Sequence, residues 1–149
     1  MRHSHGSDPH QFSVLRVPAG DGPHPVAVLI HGGFWRDRYG LDLEEAHRLG
    51  LGDDVVAQFV GAAPQEAPER YRDASPVARV PTGVPVLLVH GEADDRVPAS
   101  LSRRYADAAR AAGDVVEVVL RSGEGHFEHL DPSSAAWTAV VDWLERLRP

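Results

Sequence analysis

Two continuous apolar runs constrain this chain more than any other feature. Val26-Ala27-Val28-Leu29-Ile30 leads into His31-Gly32-Gly33, and Val86-Leu87-Leu88-Val89-His90 leads into Gly91. A run without polar alternation suits a strand buried on both faces, which is how strands of parallel sheets are covered by helices. The first run ends in glycines that read as a loop at the strand's C-terminal edge, where open α/β sheets place their sites. Strand and helix patterns alternate through the second half, so the expected fold class is α/β with a mostly parallel sheet.

The other expected elements fit that frame. A strand pattern covers 12–17 and is broken by Pro18-Ala19-Gly20-Asp21-Gly22-Pro23. Short helices are expected over 43–49, stopped by Gly50, and over 54–60, capped by Asp53 and stopped by Gly61. The proline-rich stretch 64–81 leaves room for one short helix near 68–73. A longer helix places Leu101, Tyr105, Ala108, Ala109 and Ala112 on one face and stops at Gly113. A strand over 115–120 follows. A last helix shows Trp137, Val140, Val141, Leu144 and Leu147 on one face. The polar, histidine-rich residues 1–10 read as a flexible lead-in, and 1–149 as a single domain.

Composition narrows the chemistry. There is no cysteine, which excludes disulfides, thiolate metal sites and cysteine nucleophiles. All 15 basic residues are arginine, so Schiff-base and P-loop lysine chemistry are excluded too. The formal charge of −7 argues against nucleic-acid or acidic-membrane partners. No apolar window is long enough for a membrane helix, and 1–6 lacks the apolar core of a secretion signal, so a cytoplasmic protein is expected. Serine, histidine and carboxylate chemistry remains.

Three segments carry residues of that kind. His31-Gly32-Gly33-Phe34-Trp35 leaves backbone N–H groups uncovered, so that an oxyanion can approach them. His90-Gly91-Glu92-Ala93-Asp94-Asp95-Arg96-Val97-Pro98 sets two carboxylates in a turn after a strand. Such a carboxylate either orients an imidazole or simply caps its own turn or pairs with Arg96. Gly123-Glu124-Gly125-His126-Phe127 projects an imidazole from the next strand end, one strand–helix unit of roughly 30 residues further on.

Together the three segments resemble the α/β-hydrolase fold family, especially its small esterase-like and prolyl-peptidase-like branches. Ser75-Pro76 is similar to the lead-in those branches place before the acid-bearing strand. The resemblance implies a reduced three-layer α/β sandwich, with Asp94 as the triad acid and His126 as the general base. Asp95 is the weaker choice of acid. It also implies an oxyanion hole at Gly32, Gly33 and Phe34, and weak substrate contacts from His31 and Trp35. Tyr39 could line the same wall. No cofactor or metal is implied.

The nucleophile is missing from this pattern. The family order is oxyanion loop, nucleophile, acid, base, with the serine on a Gly-x-Ser-x-Gly turn. Between Trp35 and Asp94 the one serine is Ser75, followed by a proline that has no N–H to offer an oxyanion. Ser4, in His3-Ser4-His5-Gly6, lacks the strand–turn–helix context. The resemblance runs in two blocks, about 12–40 and 41–147. The seam near 40–43 stands where on the order of 90 residues of central sheet belong.

The expected function is therefore a serine-hydrolase family member for esters or amides of small substrates, inactive or very weak in this chain. Exposed sheet edges would favour self-association. The alternative is a non-catalytic remnant or a module that binds a ligand or partner. A metal site from His3, His5, His10, His126 and His129 is a third, lesser reading.

Overall fold

The structure is a computed structural model that describes residues 2–4, 7, 12–14, 20, 43–51 and 55–147. The chain divides into two compact units, 1–31 and 32–149. The strand expected over 26–30, the loop 31–35, Tyr39, the seam at 40–42 and the Asp53 cap lie outside the described residues.

In the first unit, β1 (Arg2–Ser4) pairs antiparallel with β2 (Phe12–Val14), with His3 opposite Ser13. Arg2–Ser4 lies in the stretch whose composition suggests a flexible lead-in. Ladder pairing uses backbone groups, which a polar side-chain pattern neither reveals nor prevents.

The described part of the second unit begins with three short helices: α1 (Leu43–Arg48), α2 (Val55–Val60) and α3 (Pro68–Ala74). Glu44 and Glu45 stand at the positive end of α1 and His47 and Arg48 at its negative end, which complements the helix dipole. Gly50, at φ 65°, closes α1: its N–H donates to His47 O, and Leu51 N to Ala46 O. Leu43, Ala46, Val55, Val56 and Tyr71 form a common core, with Leu51 and Val60 packed against it. The buried Tyr71 hydroxyl donates to Ala62 O at 3.0 Å. Helices this short are marginal alone, so this core holds them.

Beyond a 3₁₀ turn (Pro76–Arg79) come β3 (Val86–Gly91), α4 (Ala99–Ala111) and β4 (Val116–Arg121). The strands are parallel, in register from Val86 opposite Val116 to Gly91 opposite Arg121. Asp114, just before β4, ties the segment ahead of β3 to it. Its carboxylate accepts from the Thr82 N–H at 2.7 Å, the Gly83 N–H at 2.9 Å and the Thr82 hydroxyl at 3.2 Å. Led by the Thr82 N–H, these donors hold the acid below the usual carboxylate range, against the opposing effect of burial. A second 3₁₀ turn (Glu128–Leu130) leads to α5 (Ala135–Arg146), whose N-cap Ser134 accepts from Trp137 N at 3.0 Å. Helices α4 and α5 both pack on the strand pair, making a reduced α/β sandwich around a parallel sheet.

Three expectations are corrected. The run 86–90 is only half-buried, because β3 pairs with β4 alone among the described residues. The inward face of α4 is Leu101, Ser102, Tyr105, Ala106 and Ala109, whereas Ala112 is exposed. On α5 Ala136 is the buried residue, with Trp137 and Val140 half-buried, and Val141, Leu144 and Leu147 stay exposed. Apolar periodicity marks a stripe but not which half of it meets a neighbour. No helix of the described residues is long and apolar enough to cross a membrane.

Candidate active site

The ends of β3 and β4 are stitched together by backbone. Glu92 N donates to Arg121 O and Ala93 N to Glu124 O, both at 2.9 Å. Gly91 is the contact point. A Cβ added there would run into the carbonyl oxygens of Glu124 and Gly125. Only a residue without a side chain lets the two loops approach this closely.

Asp94 projects from the turn after β3, its side chain 6% exposed. The two plain uses of such a carboxylate are divided between its oxygens. Oδ1 accepts from the N–H groups of Arg96 and Val97, each at 2.8 Å, and so caps the turn. Oδ2 lies 2.9 Å from Nδ1 of His126. A carboxylate only accepts, so Nδ1 carries the hydrogen and Nε2 is the basic nitrogen of the neutral ring. Burial raises the acid's pKa, but the Val97 N–H, the His126 hydrogen bond, the Arg96 N–H and the His126 charge together outweigh it. The net effect holds Asp94 below the ordinary carboxylate range. Asp95 is exposed and pairs with the Arg96 guanidinium at 3.2 Å.

The loop that carries His126 is braced on both sides. Gly123 adopts φ 77°, turning the chain back after β4. The Glu128 carboxylate accepts from Gly125 N at 2.8 Å and from Phe127 N at 3.2 Å, so it straddles the backbone of His126. The Phe127 ring meets the imidazole edge-on at 4.9 Å between centroids. His129 stands 6.2 Å away, ring to ring. Among the described residues no group of three His, Cys, Asp or Glu side chains could hold a metal ion.

A second histidine was not assigned a role by sequence reasoning. His90, at the end of β3, places Nδ1 2.7 Å from Ser102 Oγ on α4. Its Nε2 is 2.9 Å from Val97 O and 3.3 Å from Asp94 Oδ2. Its position four residues before Asp94, at a strand end, was the available signal. Gly91 and Glu128 were passed over as well.

Ser75 has a structural task. It is 4% exposed, and its Oγ accepts from Leu43 N at 2.9 Å, tying the start of α1 to the end of α3. Ser4 lies in β1. The loop residues His31, Gly32, Gly33, Phe34 and Trp35 lie outside the described residues.

Residues 55–147, which carry both Asp94 and His126, match the prolyl oligopeptidase family. The chain belongs to that family. A 104-residue stretch is 36% identical to 5-methylorsellinic acid synthase of Aspergillus terreus, covering 66% of this chain and 4% of that protein. Over 137 residues the chain is 31% identical to esterase LipC of Mycobacterium tuberculosis, covering 89% of this chain and 32% of the esterase. The solved structure of a puromycin hydrolase mutant aligns at 31% identity and a TM-score of 0.49, over 58% of this chain and 14% of that one. This member of the prolyl oligopeptidase family therefore spans a third or less of the length of these curated relatives. At family level it is similar to esterase- and peptidase-like α/β hydrolases.

Proposed function

We propose that this chain carries the acid–base half of a serine-hydrolase site for carboxylic esters or amides of small substrates. Asp94 is the acid and His126 the general base; for the oxyanion donors the sequence pattern offers Gly32, Gly33 and Phe34, and for weak substrate contacts His31 and Trp35, all outside the described residues. The observation that carries the reading is the half-buried contact of 2.9 Å between Asp94 Oδ2 and His126 Nδ1 at adjacent parallel strand ends. In that arrangement Nε2 takes the proton of an attacking hydroxyl and later returns it to the leaving group. Asp94 fixes the tautomer and stabilises the imidazolium.

The same reading makes this chain weak or inactive. Ser75 is the one serine between Trp35 and Asp94, and it is buried and occupied by Leu43 N. Sites that keep their oxyanion hole and binding groups but lose the nucleophile retain about 10³–10⁴-fold catalysis over water. An internal deletion near 40–43 accounts for the missing nucleophile turn, and the gene sequence at those codons would show it.

A chromogenic short-chain ester and a fluorophosphonate probe test the proposal together. The expected result is no stoichiometric serine labelling and only a trace of ester turnover, which His126→Ala leaves unchanged because the base has no nucleophile to serve. Stoichiometric labelling of any serine overturns the claim of inactivity. Ester turnover well above that trace, lost in His126→Ala, overturns the claim that the chain lacks a nucleophile.

A further inference from the structure

We propose that His90 is the positioning residue of the acid–base pair, holding the Asp94 carboxylate so that Oδ2 stays on the Nδ1–H of His126. This rests on the reading of Asp94 and His126 as acid and base. The His90 side chain is 10% exposed, and both of its nitrogens are engaged. The Val97 carbonyl and the Asp94 carboxylate can only accept, so Nε2 carries the hydrogen of the neutral ring. Nδ1 is then bare and accepts from the Ser102 hydroxyl, itself on a residue 7% exposed.

One ring thus joins three elements: the end of β3, the turn 94–97 and the second turn of α4. The Asp94 turn is already held through Oδ1 by two backbone donors. Those donors leave the outer oxygen to whatever meets it. His90 Nε2 at 3.3 Å and His126 Nδ1 at 2.9 Å both address that same Oδ2. The one hydrogen of Nε2 goes to Val97 O at 2.9 Å, with Asp94 Oδ2 in contact beside it at 3.3 Å. The ring therefore holds the turn that carries the carboxylate, and a fixed carboxylate fixes the imidazole. A histidine needed only for packing would satisfy its nitrogens without reaching the acid.

Long-range proton–nitrogen NMR of the histidine rings in the full chain reads this directly. In the wild-type protein His126 is expected as a single Nδ1–H tautomer and His90 as a single Nε2–H tautomer. His90→Phe keeps an aromatic ring, slightly larger than imidazole, and removes both nitrogens, and it is expected to convert His126 to a mixture of tautomers with loss of the protected Nδ1 proton. His90→Gln places an amide N–H where the imidazole Nε2–H stood, and it is expected to restore that signal. Ser102→Ala leaves the ring in place without its brace and is expected to weaken the signal. If His90→Phe does not fold, Ser102→Ala decides alone. An unaltered His126 tautomer in both variants overturns the proposal while leaving the acid–base reading intact. A wild-type His126 signal indifferent to Asp94→Asn overturns the acid–base reading itself, and the role of His90 with it.

Discussion

Replacing Gly91 by alanine tests how the pair is brought together. Gly91 does not have a positive φ, so alanine meets no backbone strain of its own there. Its difficulty is space. The three nearest atoms to the new Cβ are Glu124 O, Gly125 O and Glu124 C, all backbone, and none can swing aside as a side chain would. Overpacking of this sort costs about 1–3 kcal/mol, and with only backbone to displace the value belongs near the upper end, ~3 kcal/mol. At about 2–4 °C per kcal/mol for a chain of this size, the melting temperature falls by roughly 6–12 °C. The displaced backbone is that of the His126 loop. The Ala93 N to Glu124 O bond and the His126–Asp94 bond are therefore expected to lengthen together. Calorimetry reads the stability, and the protected Nδ1 proton of His126 reads the site. A melting temperature within about 2 °C of wild type, with that proton unchanged, would falsify the claim that Gly91 sets the approach of the two loops.

Other perturbations separate structural from catalytic roles. Ser75→Ala leaves the buried Leu43 N–H unpaired and is expected to cost about 1–3 kcal/mol in urea unfolding, with no change in fluorophosphonate labelling. An unchanged midpoint refutes its bracing role. Leu101→Ala, at a residue 1% exposed, is expected to cost about 2–5 kcal/mol. Leu144→Ala, at one 46% exposed, should cost about 1 kcal/mol or less, and the reverse order would mean that the faces of α4 and α5 are misassigned. Asp94 has a lowered folded pKa, so its contribution is fully present above the unfolded value and is lost as the pH falls through the folded one. The stability gap between wild type and Asp94→Asn is thus expected to stay constant from neutral pH down to the ordinary carboxylate range, then shrink below 3.8. A gap that persists undiminished in acid shows that the charge of Asp94 is not what stabilises.

Much of the second half was legible in the chain. Glycines at 50, 61 and 113 stop their helices at positive φ, as their placement after each apolar period suggests. The pairing of Asp94 with His126 was legible only through their shared setting, each just after a strand end. Nothing in the spacing distinguishes a carboxylate that caps its turn from one that holds an imidazole, and Asp94 does both through different oxygens. His90 and Glu128 escaped notice for a related reason. Their partners lie in other elements or on backbone atoms, neither of which leaves a mark in a residue pattern.

The apolar runs, the helix stops, the lack of cysteine and lysine, and the missing nucleophile turn were all determined by the sequence itself. They follow from local backbone preference, hydrophobic period and the inventory of reactive groups, none of which needs a neighbour in space. The burial of Ser75 against Leu43, the outward turn of Leu144 and the contacts of His90 with Ser102, Val97 and Asp94 were decided by tertiary structure. Each depends on which surfaces meet, and that is set by packing between segments far apart in the chain.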